Sequence, residues 1–163
     1  MPNPNNPHGF IAEFMFGNGA IPLWYGTLKS ASIVTDGDAV KATVGLLMKM
    51  VTVATDDAKI VGIAAETKTA PTTARDTLMF VPALENIVFS GQYGSTGVQF
   101  TQGIMYTAKN LGPSGLGTGV MRLSTGVSSV ACIIGLKRTS AFGTFGEALF
   151  IFGVSRMSGR GIY

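Results

Sequence analysis

Val40-Lys41-Ala42-Thr43-Val44 places apolar and polar side chains at alternate positions. Successive side chains of an extended chain point to opposite faces, so this run reads as a strand with one buried and one wet face. Asp36-Gly37-Asp38 ahead of it is a turn signal, and a second strand-like run, residues 48–54, ends at Asp56-Asp57. The same alternation of short runs and turns continues in both directions. Toward the N-terminus, residues 10–16 and 21–28 flank the tight-turn pair Asn18-Gly19. Toward the C-terminus, residues 60–66 form a run in which Gly62 marks a bulge or a close backbone approach. Residues 77–81 and 87–89 read as strands either side of Pro82, and residues 98–101 and 104–109 as a hairpin pair around Gly103. Residues 120–124, 130–136 and 148–154 complete the set, with polar or glycine-rich loops at 67–74 and 112–119. About ten short strands with regularly spaced turn signals predict an all-β sandwich or barrel.

Composition supports that reading. Hydrophobic residues make up 46% of the 163 positions, enough for a sizeable core in one domain. Val, Ile, Thr and Phe recur, strong helix formers are sparse, and the 22 glycines suit tight turns. No internal repeat or composition break divides the chain. The opening Met1-Pro2-Asn3-Pro4-Asn5-Asn6-Pro7 suits neither a helix nor a central strand, so residues 1–9 are expected to form an extended arm and residues 10–163 a single β domain. The arm is expected to become ordered against a partner. That opening has neither the basic region nor the apolar core of a signal peptide, and the apolar stretch at 142–154 is too short to span a membrane. The expectation is a soluble protein.

Charged residues are 13% of the chain, against about 25% in an ordinary soluble domain. A surface so poor in charge is expected to be covered in part by neighbouring subunits. Residues 1–85 carry six basic and eight acidic side chains, and residues 86–163 carry six and one. The basic residues are scattered singly apart from Lys137-Arg138 and the pair Arg156 and Arg160, which argues against a nucleic-acid face. Complementary charge between subunits accounts for the asymmetry equally well.

The residues that could carry catalysis are few. His8 is the sole histidine and lies in the arm, and Cys132 sits in the apolar run Val130-Ala131-Cys132-Ile133-Ile134 as a small hydrophobe. One histidine and one cysteine cannot make a zinc site. Asp36, Asp38, Asp56 and Asp57 lack the spacing of an EF-hand, and read as solvated turn carboxylates. Gly112-Pro113-Ser114-Gly115-Leu116-Gly117-Thr118-Gly119 lacks the Gly-Lys-Ser/Thr ending of a phosphate-binding loop and reads as a surface loop. No catalytic residue, metal ligand or cofactor is expected.

From Asn86 to Ala108 the chain carries no charge but supplies Ile87, Phe89, Tyr93, Phe100 and Tyr106. Core strands and a subunit contact both fit, because interface centres lose charge and gain aromatics. The candidate contact residues are His8 and Phe10 around the arm and Tyr93, Phe100 and Tyr106 in the uncharged stretch.

Several segments resemble a known family. Asn6-Pro7-His8-Gly9-Phe10 is similar to the start of many head-decoration, or cement, proteins of tailed bacteriophages. Gly37-Asp38-Ala39-Val40 and then Asp57-Ala58-Lys59-Ile60-Val61-Gly62-Ile63 follow in the family's order. Val81-Pro82-Ala83 before Ile87-Val88-Phe89-Ser90-Gly91-Gln92 resembles its "pro-x-x-val-phe-x-x-gln" stretch. The likeness runs from residue 6 to about residue 92. It implies a small β-barrel or jelly-roll-like fold, made in the host cytoplasm and carried on the outer surface of a virion. There the chain would bridge neighbouring copies of the major capsid protein and self-associate as a dimer or trimer. The resemblance brings no cofactor, no membrane and no direct nucleic-acid contact. The alternatives are another virion subunit of the tail, collar or fibre base, and a carbohydrate-binding β-sandwich using Trp24, Tyr25 and Tyr93.

Overall fold

Backbone hydrogen bonds in the computed structural model, which describes residues 8–49, 59–69, 76–94, 98–113, 121–124 and 130–153, run mainly between extended segments. In chain order the strands are β1 (Ile11–Met15), β2 (Trp24–Thr27), β3 (Ala39–Thr43), β4 (Leu46–Lys49), β5 (Ile60–Ala64), β6 (Thr77–Pro82) and β7 (Ile87–Gln92). Then come β8 (Gln99–Phe100), β9 (Ala108–Lys109), β10 (Leu111–Pro113), β11 (Met121–Leu123), β12 (Ala131–Leu136), β13 (Gly143–Thr144) and β14 (Glu147–Phe152). One five-stranded sheet has the order β1-β7-β14-β12-β9 and the other β2-β6-β5-β3-β4, with antiparallel pairing throughout their ladders.

Alternation along β14 shows how sequence sets the packing. Ala148, Phe150 and Phe152 are buried, while Glu147, Leu149 and Ile151 are half-buried. The inward residues meet Phe89 of β7, whose ring centroid lies 5.2 Å from Phe152 in an edge-to-face pair. That geometry suits the aromatic quadrupole. The second sheet adds Ala39, Ile60, Ile63 and Val81 to the same core, so the two sheets face each other as a sandwich.

The second sheet is apolar on both faces. Val40, Val61, Ala64, Leu78 and Phe80 form a separate cluster with Leu28, Val34 and Leu47. A bulge makes this possible: Val40 pairs with Gly62 but Lys41 pairs with Ile60. The unpaired Val61 shifts the phase of β5, so Ile60 and Ile63 reach the central core while Val61 and Ala64 reach the outer cluster. Gly62 also lies against the Val81 carbonyl, where a side chain has no room, as its place in the run predicted.

Four expectations change. The second sheet curls until its outer strands meet at a bridge, Leu28 to Leu47, but among the described residues no ladder closes, so the sandwich holds and the barrel does not. The hairpin around Gly103 is absent: β8 pairs with β13, β9 pairs with β12, and Gln102–Ile104 forms a 3-10 turn between them. These pieces are too short to make a hairpin ladder of their own, and each finds a longer-range neighbour. Val44 does not extend its strand; it turns the β3–β4 hairpin. The arm, expected to include residues 8 and 9, is already docked there, and Phe10 is buried. The expected features at residues 1–7, 51–57, 70–74, 114–119 and 154–163 lie outside the described residues.

Candidate interaction surface

The outer face of the first sheet carries a linked group of charges. Ser90 and Gln92 on β7 point away from the aromatic core yet are buried. Above them, Glu13 is the extra residue of a bulge in β1, between the Ala12–Phe89 and Phe14–Val88 pairs. Lys137 follows β12, and Glu147 opens β14 beside it, with the Lys137 N–H donating to the Glu147 carbonyl at 2.9 Å. The Lys137 ammonium lies 2.8 Å from Glu13 Oε1, 3.1 Å from Glu147 Oε2 and 3.3 Å from Ser90 Oγ. The Ser90 hydroxyl donates to Glu13. His8 Nε2 is 3.2 Å from Glu147 Oε1, which fixes the root of the arm to the sheet.

Burial alone would push both carboxyls up, but hydrogen bonds from Lys137, with Ser90 on Glu13 and His8 on Glu147, hold both below the usual range. Burial would likewise lower Lys137, and the two carboxylates raise it instead. All three groups therefore stay ionised near neutrality. A nucleophilic Ser90 would need solvent access and a neutral lysine or free carboxylate as its base. Ser90 has no exposure, and Lys137 holds its proton. The arrangement is suited to tying β1, β7, β12, β14 and the arm root together.

The expected contact residues separate into two groups. Phe10, Tyr93 and Phe100 are core residues, which corrects their assignment as an outward contact surface on this chain. Tyr93 stands 5.3 Å from Phe100 between ring centroids, and burial pushes its hydroxyl's pKa up. The turn predicted around Tyr93 starts one residue later, at Gly94 with φ of 69°, so Tyr93, directly after β7, still points into the core. Tyr106 is the reverse case: it is 78% exposed, with a positive φ of 63°. His8 is part-buried on Glu147. The uncharged stretch is thus mostly core, with Tyr106 projecting from it.

Sequence reasoning missed a second apolar surface. Ile11, Phe14 and Phe16 are exposed on and after β1, and Leu23, Trp24 and Tyr25 on and before β2, the outer strands of their sheets. At the seam between these strands is a groove of about 430 Å³ whose apolar lining includes Ile11, Ala12, Ile21, Leu23 and Val81, with Asp36 as its charged residue. The signal was the bulky run at residues 21–25, but apolar content alone cannot separate a rim from a core strand. Trp24 and Tyr25 are adjacent on a strand and so face opposite sides, and Tyr93 is buried, so these three do not make one sugar-stacking platform.

Among the described residues, no group of three or more His, Cys, Asp or Glu could hold a metal ion, and no helix is long and apolar enough to cross a membrane. No family model and no curated protein matches this sequence.

Proposed function

We propose that this chain is a structural subunit of a virion that decorates an icosahedral phage capsid and stabilises it by bridging major capsid subunits. The observation that carries the reading is where its family-like segments lie in the fold. Those segments are scattered from residue 6 to about residue 92, yet their described parts meet in one place. Gly9 abuts Gly37, the Phe10 N–H donates to the Gly37 carbonyl at 2.9 Å, and the Gly37 N–H donates to Ala64 at 3.0 Å. The Ala64 N–H returns to Asp38 at 2.8 Å, and the Ala83 N–H donates to Val61 at 2.9 Å. The resembling segments thus hold one another in place, which supports the reading that they set one fold together.

The surface supports the reading on separate grounds. Exposed Phe14, Phe16, Trp24, Tyr25 and Tyr106 on a chain so poor in charge have the composition of an interface centre. A decorating subunit works through modest contacts repeated by symmetry, where avidity replaces single-site affinity. The charged cluster on the first sheet braces the arm root against β1, β7, β12 and β14, which agrees with a chain that acts by binding.

The test is to recover the tagged chain from its native source and image the particles that co-purify. Icosahedral shells with the chain at regular outer positions are the expected result. Tails or collars alone would transfer the role to another virion part, and the absence of any particle would sink the proposal.

A further inference from the structure

The chain has one Asn-Gly step, Asn18-Gly19, and one Asp-Gly step, Asp36-Gly37. The two are chemically alike. With no side chain on the glycine, its backbone nitrogen can approach the preceding side-chain carbonyl carbon and close a five-membered imide. The fold treats them in opposite ways. At Asp36-Gly37 the attacking nitrogen is held: the Gly37 N–H donates to the Ala64 carbonyl at 3.0 Å, and the Gly37 carbonyl accepts from Phe10 at 2.9 Å. Gly37 is buried against Gly9, and the Asp36 N–H donates to Thr67 Oγ1 at 3.0 Å. Ring closure turns the Cα–C bond of residue 36, which would break the Gly37–Ala64 bond inside a packed turn.

Asn18-Gly19 is open. β1 ends at Met15, and the chain then turns through Gly17 and Asn18, whose φ values are 90° and 57°. Residues 16–20 are all exposed. Among the described residues, neither the Asn18 side chain nor the Gly19 N–H has a hydrogen-bond partner. The Met15 side chain lies against Gly19, but its terminal methyl can move aside. The imide ring takes in the Cα–C, Cα–Cβ and Cβ–Cγ bonds of residue 18. The left-handed φ of Asn18 turns the N–Cα bond, which stands outside that ring, so it does not obstruct closure.

We infer that Asn18 is a site of spontaneous covalent modification, converting to aspartate and isoaspartate through a cyclic imide with Gly19. Solvent base takes the Gly19 amide proton, and the nitrogen attacks Asn18 Cγ. The N–Cγ bond forms, the Cγ–Nδ2 bond breaks, and the departing nitrogen takes up a proton and leaves as ammonia. One water then opens the imide. Cleavage at Cγ gives aspartate. Cleavage at the backbone carbonyl gives isoaspartate, whose main chain runs through the side-chain methylene. The net exchange is amide plus water for carboxylic acid plus ammonia, with no change of oxidation state. Either product places a carboxylate beside exposed Phe16, on the turn between the strands that present Phe14, Trp24 and Tyr25. Interface centres exclude charge, so modification lowers the value of this rim as a contact. That consequence rests on the structural-subunit reading, whereas the chemistry stands apart from it and is tested on purified protein without shells.

The folded chain and the chain unfolded in urea are held in mildly alkaline, isotopically labelled water, and their peptides are mapped by mass spectrometry. Dividing each folded rate by its unfolded rate removes the intrinsic difference between Asn and Asp. Residue 18 should convert in the folded chain at close to its unfolded rate, giving labelled isoaspartate and aspartate. Residue 36 should convert at least about tenfold more slowly folded than unfolded. Gly19→Ala places a methyl beside the attacking nitrogen, and should slow conversion of Asn18 at least about tenfold. An Asn18 amide that the fold protects as strongly as it protects residue 36 would overturn the inference. Gly19→Ala converting at the wild-type rate, or aspartate formed without isoaspartate, would overturn it as well.

Discussion

Gly9 and Gly37 lie back to back, so that a side chain built on Gly9 would stand 2.8 Å from the Gly37 Cα and carbonyl oxygen. Gly9 also has φ of 79°. This contact sets the root of the arm and the path of the chain into β1. Gly9→Ala should therefore cost more than about 2 kcal/mol, from left-handed strain together with a backbone overlap that cannot rotate away. Gly17→Ala is the control, because φ there is 90° but nothing lies within 4 Å. It should show the strain alone, about 1–2 kcal/mol. Urea midpoints at unchanged slope measure both, and equal costs would mean that the close approach contributes nothing.

The second prediction concerns acid. Glu13 and Glu147 are held below their unfolded values, so their stabilisation is fully present above about pH 4 and is lost as pH falls through their folded pKa values. Lys137 is raised, so its share is present below about pH 10 and is lost above its folded value. Wild-type thermal midpoints should be level across that window and fall below pH 4. Lys137→Met leaves two half-buried carboxylates facing each other, at a cost of about 1–3 kcal/mol at pH 7, since solvent screening keeps it below that of a fully buried pair. Burial then raises both carboxyls, and the sign of the slope reverses: the variant gains stability as pH falls from 7 toward 5. A variant whose midpoint follows the wild-type curve at a constant offset would refute the assigned coupling.

Tyr93 yields the third. Its place against Phe100 in the core makes Tyr93→Asp a buried, unpaired charge, expected to unfold the chain or cost more than about 3 kcal/mol. Tyr93→Phe keeps the ring and should cost less than about 1.5 kcal/mol. Near-ultraviolet circular dichroism and melting separate the cases. A folded, stable Tyr93→Asp would return Tyr93 to the surface.

These residues also mark what the sequence could reveal. Period-two alternation located the strand around Val40, because one face of it must be buried and the other need not be. Pairing partners were hidden: the short pieces at Gln99 and Ala108 reach β13 and β12, and no local pattern encodes a ladder closed across more than twenty residues. The Val61 bulge was signalled by Gly62, since a missing side chain leaves a visible gap in a run. Tyr93 was misplaced because Gln-Tyr-Gly-Ser has the composition of a turn although the turn starts at Gly94. The Glu13–Lys137–Glu147 cluster was invisible because its members are far apart in sequence and each alone resembles a solvated surface charge. Val44 was read as strand, because alternation continues through it and strain is a property of φ, not of composition.

Tyr106 gives the last prediction. Its side chain is 78% exposed and its φ is 63°, yet its N–H is held, donating to the Ile133 carbonyl at 2.9 Å. The backbone is thus fixed by β12 while the aromatic ring projects, and an ordinary fold would place Asn or Gly there. Tyr106→Asn keeps the N–H bond and tolerates the left-handed geometry, so stability should be unchanged or higher by about 0.5–1 kcal/mol. A ring kept in place at such cost is an anchor of low entropy, well suited to a subunit contact. Under the proposed function, binding of Tyr106→Asn to isolated shells should weaken by more than about 1 kcal/mol, about fivefold, at an undiminished melting temperature. A drop in melting temperature would make Tyr106 part of the fold. Full shell binding with normal stability would leave the ring without a role in the contact, and would move the docking surface to the apolar side chains of β1 and β2.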